Sequence, residues 1–164
     1  MATTSAGILL YRLTTDGGVS VLVAHMGGPY WASKDEDAWS IVKGEFEAAS
    51  EAALDAAKRE FGEELGLEPP AADYAELGTF AYSSGKRVTV FVADGTGFDT
   101  DGATFGEFEM EWPPRSGRTA SFPEVDRVEW VALARARDLI VKGQRPALDR
   151  LEELMGDLRA ETAR

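Results

Sequence analysis

Glu60, Glu63 and Glu64 stand at i, i+3 and i+4, a spacing that brings three carboxylates to one side of a helix within about one turn. Charges of like sign this close repel, and a divalent cation is one natural partner for them. Ligands made only of oxygen favour a hard ion, Mg²⁺ or Mn²⁺. Glutamates on an exposed helix face are also ordinary solvated surface in a chain with 29 acidic residues, so the cluster needs context. Glu51, Asp55 and Arg59 form an i, i+4, i+8 ladder, from which Arg59 can reach back toward both acids. Lys43, directly before Gly44, and Arg115 and Arg118 in the turn PPRSGR are cationic side chains suited either to phosphate or to pairing with nearby glutamates. Tyr30 and Trp31 could stack on a base or stiffen their own loop. His25 is the only histidine, and its place at a strand end fits a hydrogen-bonded wall residue better than a catalyst.

The elements that must position these groups follow from periodicity. Between Ser50, a candidate N-cap, and Gly66, a candidate left-handed terminator, alanines fill a helix whose stripe is Leu54, Ala57, Phe61 and Leu65. Ser5–Leu13 and Val19–His25 read as strands joined by a hairpin turn at Thr15–Gly18. Met26–Ala38 is too polar and broken for an element and reads as a loop, followed by the apolar run Trp39, Ile41, Val42. Tyr74–Ser83 and Arg87–Ala93 read as strands around Ser84-Gly85-Lys86. Asp94–Ala103 reads as a solvated loop without the spacing of an EF-hand. Phe105–Trp112 alternates apolar and acidic residues, as a short strand would. Arg127–Leu133 is a further strand and Arg135–Val141 a short helix. Pro146 opens a last helix to about Thr162, with Leu148, Leu151, Leu154 and Leu158 as its stripe.

Arg59-Glu60-Phe61-Gly62-Glu63-Glu64-Leu65-Gly66-Leu67 resembles the second half of the Nudix box, R-E-U-x-E-E-x-G-U. Glu51 lies eight residues before Arg59, the family spacing, and Gly44 resembles the glycine that opens the box. Six residues separate Gly44 from Glu51 where the usual pattern has one fewer, and Val42 stands where many relatives have proline. Both departures fall on the loop before the helix. The resemblance implies an α/β/α sandwich, with a mixed sheet between the box helix and the C-terminal helix, built from a single domain over residues 1–164. It implies Glu60, Glu64 and the Gly44 carbonyl as metal ligands and Glu63 on a second ion or its water. Arg59 would brace the loop against the helix. In several Nudix hydrolases a further glutamate before a late strand serves as metal ligand or general base, and Glu124 resembles it. The implied activity is metal-dependent hydrolysis of a pyrophosphate bond in a nucleoside diphosphate linked to another moiety. Water activated by the metal would attack phosphorus, with Glu63 or Glu124 as base. The first loop and the Trp112–Arg118 turn resemble elements of bacterial NTP pyrophosphohydrolases of this family, and its diadenosine polyphosphate hydrolases have comparable chain lengths. Some Nudix domains bind nucleotides as sensors without cleaving them; the presence of Glu60, Glu63 and Glu64 favours an enzyme.

Composition bounds the rest. A formal net charge of −12 argues against a nucleic-acid polymer as partner, but not against a nucleotide held through a cation. The chain has no cysteine, which excludes disulfides and thiolate zinc sites. No apolar run approaches the roughly 20 residues of a membrane span, and the N-terminal stretch reads as a strand rather than a signal peptide. The expectation is a cytoplasmic protein, monomer or homodimer, acting on a small nucleotide. A purely structural interaction domain would instead have no affinity for Mg²⁺ or Mn²⁺.

Overall fold

In the strands that carry most of the core, successive residues are apolar on both sides, as strands covered on both faces must be. In the computed structural model, which describes residues 3–163, that pattern resolves into a seven-stranded mixed sheet between two helical layers. Along β1 (Thr4–Leu13), Ala6, Ile8 and Leu10 face one way and Leu9 the other. β2 (Val19–Met26) divides Leu22 and Ala24 from Val21 and Val23. The face with Ile8 and Leu22 is covered by α1 (Ala53–Leu65) through Ala56, Ala57, Phe61 and Leu65. The face with Leu9 and Val23 is covered by α2 (Leu133–Leu139) and α3 (Arg145–Thr162). This is the expected α/β/α sandwich.

The sheet is split at its centre. β1 runs parallel to β6 (Arg87–Asp94) along one edge. On its other edge it meets β2 only at Tyr11–Leu13, while Ser5–Ile8 pair with β4 (Val42–Glu45). β2 in turn pairs its far end with β3 (Trp39–Ser40). The run Trp39–Glu45 therefore fills the wedge where β1 and β2 diverge. Ile41 is where the chain passes from one partner to the other. Its N–H is received at 2.8 Å by the Oε1 of Gln144, a fully buried side chain. The Gln144 amide nitrogen donates to Ser40 Oγ and Tyr82 Oη, so all of the side chain's polar atoms are used. β5 (Ala75–Ala81) closes the sheet beside β6, and β9 (Val125–Ala132) lies on the outer side of β2.

β7 (Glu107–Glu111) and β8 (Thr119–Pro123) form a separate antiparallel hairpin. β8 was not expected from the sequence: it is short, half exposed and ends in proline. The apolar run at Trp39–Val42 divides into two strands because it changes partner. The last helix buries Ala147, Leu148, Leu151 and Met155, whereas Leu158 is 44% exposed; Met155 takes the place one turn after Leu151, and the stripe ends there. Ser50 does not cap α1. Its hydroxyl donates to the Glu47 carbonyl in a separate turn, and the helix starts from Ala52 in an extended conformation without a side-chain cap. Gly66 does end the helix in the left-handed region, at φ 62°. The Asp94–Ala103 segment is pinned rather than merely solvated. Phe98 packs on Phe61 with ring centroids 5.6 Å apart, and the Thr104 N–H bonds the Leu65 carbonyl just beyond it. Among the described residues no helix is long and apolar enough to cross a membrane.

Candidate active site

β4 and α1 lie against each other, with Gly44 directly against the Glu60 side chain. A Cβ at position 44 would collide with Cδ and Oε2 of Glu60, so only glycine admits the carboxylate here. Burial raises the Glu60 pKa; the Arg59 guanidinium opposes this, while Glu63 and Glu124 add to it. Arg59 grips Glu51 with two bonds of 2.8 and 2.9 Å and reaches Glu60 at 2.8 Å and Glu63 at 3.3 Å. The expected contact of Arg59 with Asp55 is not made. The guanidinium is turned toward three other carboxylates, and Asp55 stays exposed at the helix start. The charge of Arg59 is reinforced and Glu51 is held below the ordinary carboxylate range, in both cases chiefly by the bond between them. Before the helix the chain turns at Glu47–Glu51, where the N–H groups of Ser50 and Glu51 both bond the Glu47 carbonyl, and Gly44 meets Glu60.

Glu64 faces inward. It lines a small cleft of about 180 Å³ with Lys43, Ser40, Ile41 and Glu124. Burial pushes its pKa up to about 8; the Lys43 charge and backbone amide oppose this, and Glu124 and Glu60 add to it. Glu124 thus stands beside Glu64 and Glu60, a proximity that its place in the sequence did not reveal. Its N–H donates to the Gly106 carbonyl at 2.8 Å and its carbonyl accepts from Gly27 N–H at 2.9 Å, so both sides of its backbone are tied. Gly106 itself lies between the Glu124 carboxylate and the Glu63 carbonyl.

Glu63 is not brought into this cleft. Adjacent helical residues point about 100° apart, and Glu63 is 59% exposed, bound to Arg59. Among the described residues no three acidic or histidine side chains converge closely enough to hold an ion between them, because Arg59 draws Glu60 and Glu63 to itself. The donor set still suits a hard cation. Glu64, Glu60 and Glu124 bear on one another with Lys43 as the cation facing Glu64, all available donors are oxygens, and glutamate side chains rotate at little cost.

A second cleft of about 410 Å³ shares Glu124 and Met26 with the first. Its walls are Met26, Gly28, Tyr30, Trp31, Phe108 and Met110. Tyr30 is 54% exposed and set edge-on to Trp112 at 5.5 Å. Trp31 packs on the α2–α3 side of the core, with the Lys34 ammonium over its ring. Phe108 and Met110 come from the apolar side of β7; the alternation in FGEFEMEW marks that face, but nothing in the sequence says what it meets. Arg115 and Arg118 are not gathered here. They lie in the β7–β8 turn and line neither cleft; Arg118 stands opposite Trp112, two residue pairs beyond Met110. His25 is fully buried and bonded on both sides, as a wall residue.

The NUDIX domain model matches residues 1–151. The chain belongs to the Nudix family. With Glu60, Glu63 and Glu64 all in place, it is a Nudix pyrophosphohydrolase. The fold is similar to that of an Ap4A hydrolase from C. elegans, solved as a binary complex, at 17% identity and a TM-score of 0.62 over 95% of this chain and 99% of that one. It is also similar to the NUDIX domain of Shewanella oneidensis NrtR complexed with ADP ribose (13% identity, 94% and 89% covered, TM-score 0.61). A third Nudix relative, the MutT protein of Methanosarcina mazei Go1, aligns over 93% of this chain and 94% of its own at 17% identity and a TM-score of 0.57. At these identities the likeness concerns the fold. No curated protein matches the sequence.

Proposed function

We propose that the protein hydrolyses a pyrophosphate bond in a nucleoside diphosphate linked to another moiety, with Mg²⁺ or Mn²⁺. The observation that carries this reading is Glu124, which with Met26 lines both the carboxylate cleft and the aromatic cleft. A diphosphate lying over Lys43, Glu64 and Glu124 leaves its nucleoside beside Tyr30, Trp31, Phe108 and Met110. Glu60, Glu64 and the Gly44 carbonyl would hold the cation, with Glu63 available for a second. A bound divalent cation neutralises the diphosphate, polarises phosphorus and lowers the pKa of water.

The chain's own groups do the remainder. The Lys43 ammonium pairs with phosphate oxygens. Glu124 receives the proton of the attacking water, a role it fits better than Glu63, whose two oxygens are both engaged by Arg59 at 3.3 Å. Arg59 fixes the glutamates of the helix relative to Glu51. Arg115 and Arg118, in the β7–β8 turn beyond Met110, would reach phosphates that extend past the aromatic cleft. A cytoplasmic monomer or homodimer goes with this reading.

The test compares nucleoside diphosphate derivatives with inorganic pyrophosphate under Mg²⁺. The two-cleft arrangement requires kcat/KM to be at least about tenfold higher for the nucleotides, the return on roughly 1.4 kcal/mol of aromatic contact. Equal turnover of bare pyrophosphate would contradict it.

A further inference from the structure

His25, next to last in β2, has no exposed surface. Its Nδ1 lies 2.8 Å from Asp126 Oδ1 and its Nε2 2.6 Å from the Lys34 carbonyl oxygen. A carbonyl can only accept, and the Asp126 carboxylate, which also meets the Arg127 guanidinium at 3.6 Å, is an acceptor too. Both bonds are made together only if both ring nitrogens donate. The ring is further fixed edge-on to Trp39 at 5.0 Å, and the Trp39 indole N–H is held by Asp35 at 3.1 Å.

The two partners of His25 belong to the two segments that shape the site. β2 and β9 pair in step from Ser20 opposite Ala132 to His25 opposite Arg127; then the register slips, and Met26 faces Val125. Asp126 is the residue left over in this bulge. Bulges re-aim side chains and recur beside active sites, and this one turns Asp126 onto His25 two residues after Glu124. Lys34, at the other nitrogen, lies in the loop that carries Tyr30 and Trp31.

We propose that His25 is a positioning residue of the active site. By donating from both ring nitrogens, to Asp126 and to the Lys34 carbonyl, it ties the bulge that sets Glu124 to the loop that walls the aromatic cleft. The kinetic part of this inference rests on the hydrolase reading; the donor pattern does not.

The test has two arms. In the untagged chain, which has a single histidine, a long-range ¹H–¹⁵N spectrum at neutral pH reads the ring directly. Protons on both nitrogens are expected, and one bare nitrogen overturns the proposal. In the kinetic arm, His25→Phe keeps a ring of similar size but neither donor, and Asp126→Asn keeps the shape of the partner. Fewer folded molecules would lower kcat alone and leave KM unchanged. Misplacement of the cleft wall raises KM for the best nucleotide, about tenfold in His25→Phe and about threefold in Asp126→Asn. Values within twofold of wild type in both variants overturn the proposal. Asp126→Asn decides alone if His25→Phe does not fold. A wild-type chain that hydrolyses no nucleotide refutes the hydrolase reading instead, and the spectrum then judges His25 by itself.

Discussion

Gly44 and Glu60 touch with no room for another atom: a methyl group on Gly44 would occupy the space of the Glu60 carboxyl. The glycine that opens the loop and the glutamate that begins the acidic cluster are thus two halves of one contact between β4 and α1. Gly44→Ala is expected to fold, because the group it displaces is the end of a flexible side chain. Its melting temperature should stay within a few degrees of wild type, while Glu60 is pushed from its place. Calorimetry with Mn²⁺ should show affinity reduced by about tenfold or more, in the range seen when groups supporting a metal site are disturbed. Unchanged affinity would mean that Glu60 is not a ligand.

Glu124 and Glu63 can be separated kinetically. Glu124→Gln removes the base while keeping the side chain's shape, and kcat should fall by about 10²-fold or more. Glu63→Gln should cost less, since Glu63 is exposed and held by Arg59. The reverse order in steady-state rates at saturating Mg²⁺ would return the base role to Glu63.

The raised pKa of Glu64 carries a sign that stability measurements can check. Its carboxyl titrates near 8 in the folded chain against an ordinary value of 4.5. The protonated form is favoured by folding, so its contribution is fully present below the unfolded value and is lost as pH rises through about 8. In EDTA, the melting temperature of wild type minus that of Glu64→Gln should fall steadily from about pH 5 to about pH 8.5. Saturating Mg²⁺ should stabilise wild type more at the alkaline end, where the ligands are ionised. A difference independent of pH would contradict the burial of Glu64.

Gln144→Leu tests the wedge between β1 and β2. It leaves the Ile41 N–H without its partner at the point where the strand changes sides. The expected cost is about 1–3 kcal/mol in denaturant unfolding. A loss below about 0.5 kcal/mol would show that water or a neighbour replaces the glutamine.

Local chemistry made much of this legible in the sequence. The helix, its stripe through Ala57, Phe61 and Leu65, its end at Gly66 and the Arg59–Glu51 pair all depend on spacings of a few residues. Features that depend on competition between partners were harder to read. Arg59 has Asp55 within helical reach yet turns to Glu51, Glu60 and Glu63. Ser50 is a good capping residue, but Glu47 takes its hydroxyl first. Features that depend on distant pairing were not legible. The placement of Glu124 requires Gly106 and Gly27 to bind its backbone, and the aromatic cleft requires a hairpin whose second strand has no strong pattern. Charge alone makes Arg115 and Arg118 candidates for phosphate, and no local pattern tells that they stand in the β7–β8 turn, outside both clefts.

Half-buried Glu60 and Glu64 of α1 and the neighbouring Glu124 together would cleave a pyrophosphate bond with the help of a divalent cation. The direct measurement is phosphate and pyrophosphate release from a panel of NTPs, diadenosine polyphosphates, ADP-ribose, NADH and nucleotide sugars, with Mg²⁺ or Mn²⁺, for wild type and Glu64→Gln. Wild type is expected to turn over a substrate in a reaction that EDTA abolishes and that Glu64→Gln slows by at least about 10²-fold with the fold intact. Turnover in Glu64→Gln close to wild type would contradict the site assignment. Silence of the wild type across the panel, with a nucleotide still raising its melting temperature, would make the protein a nucleotide sensor.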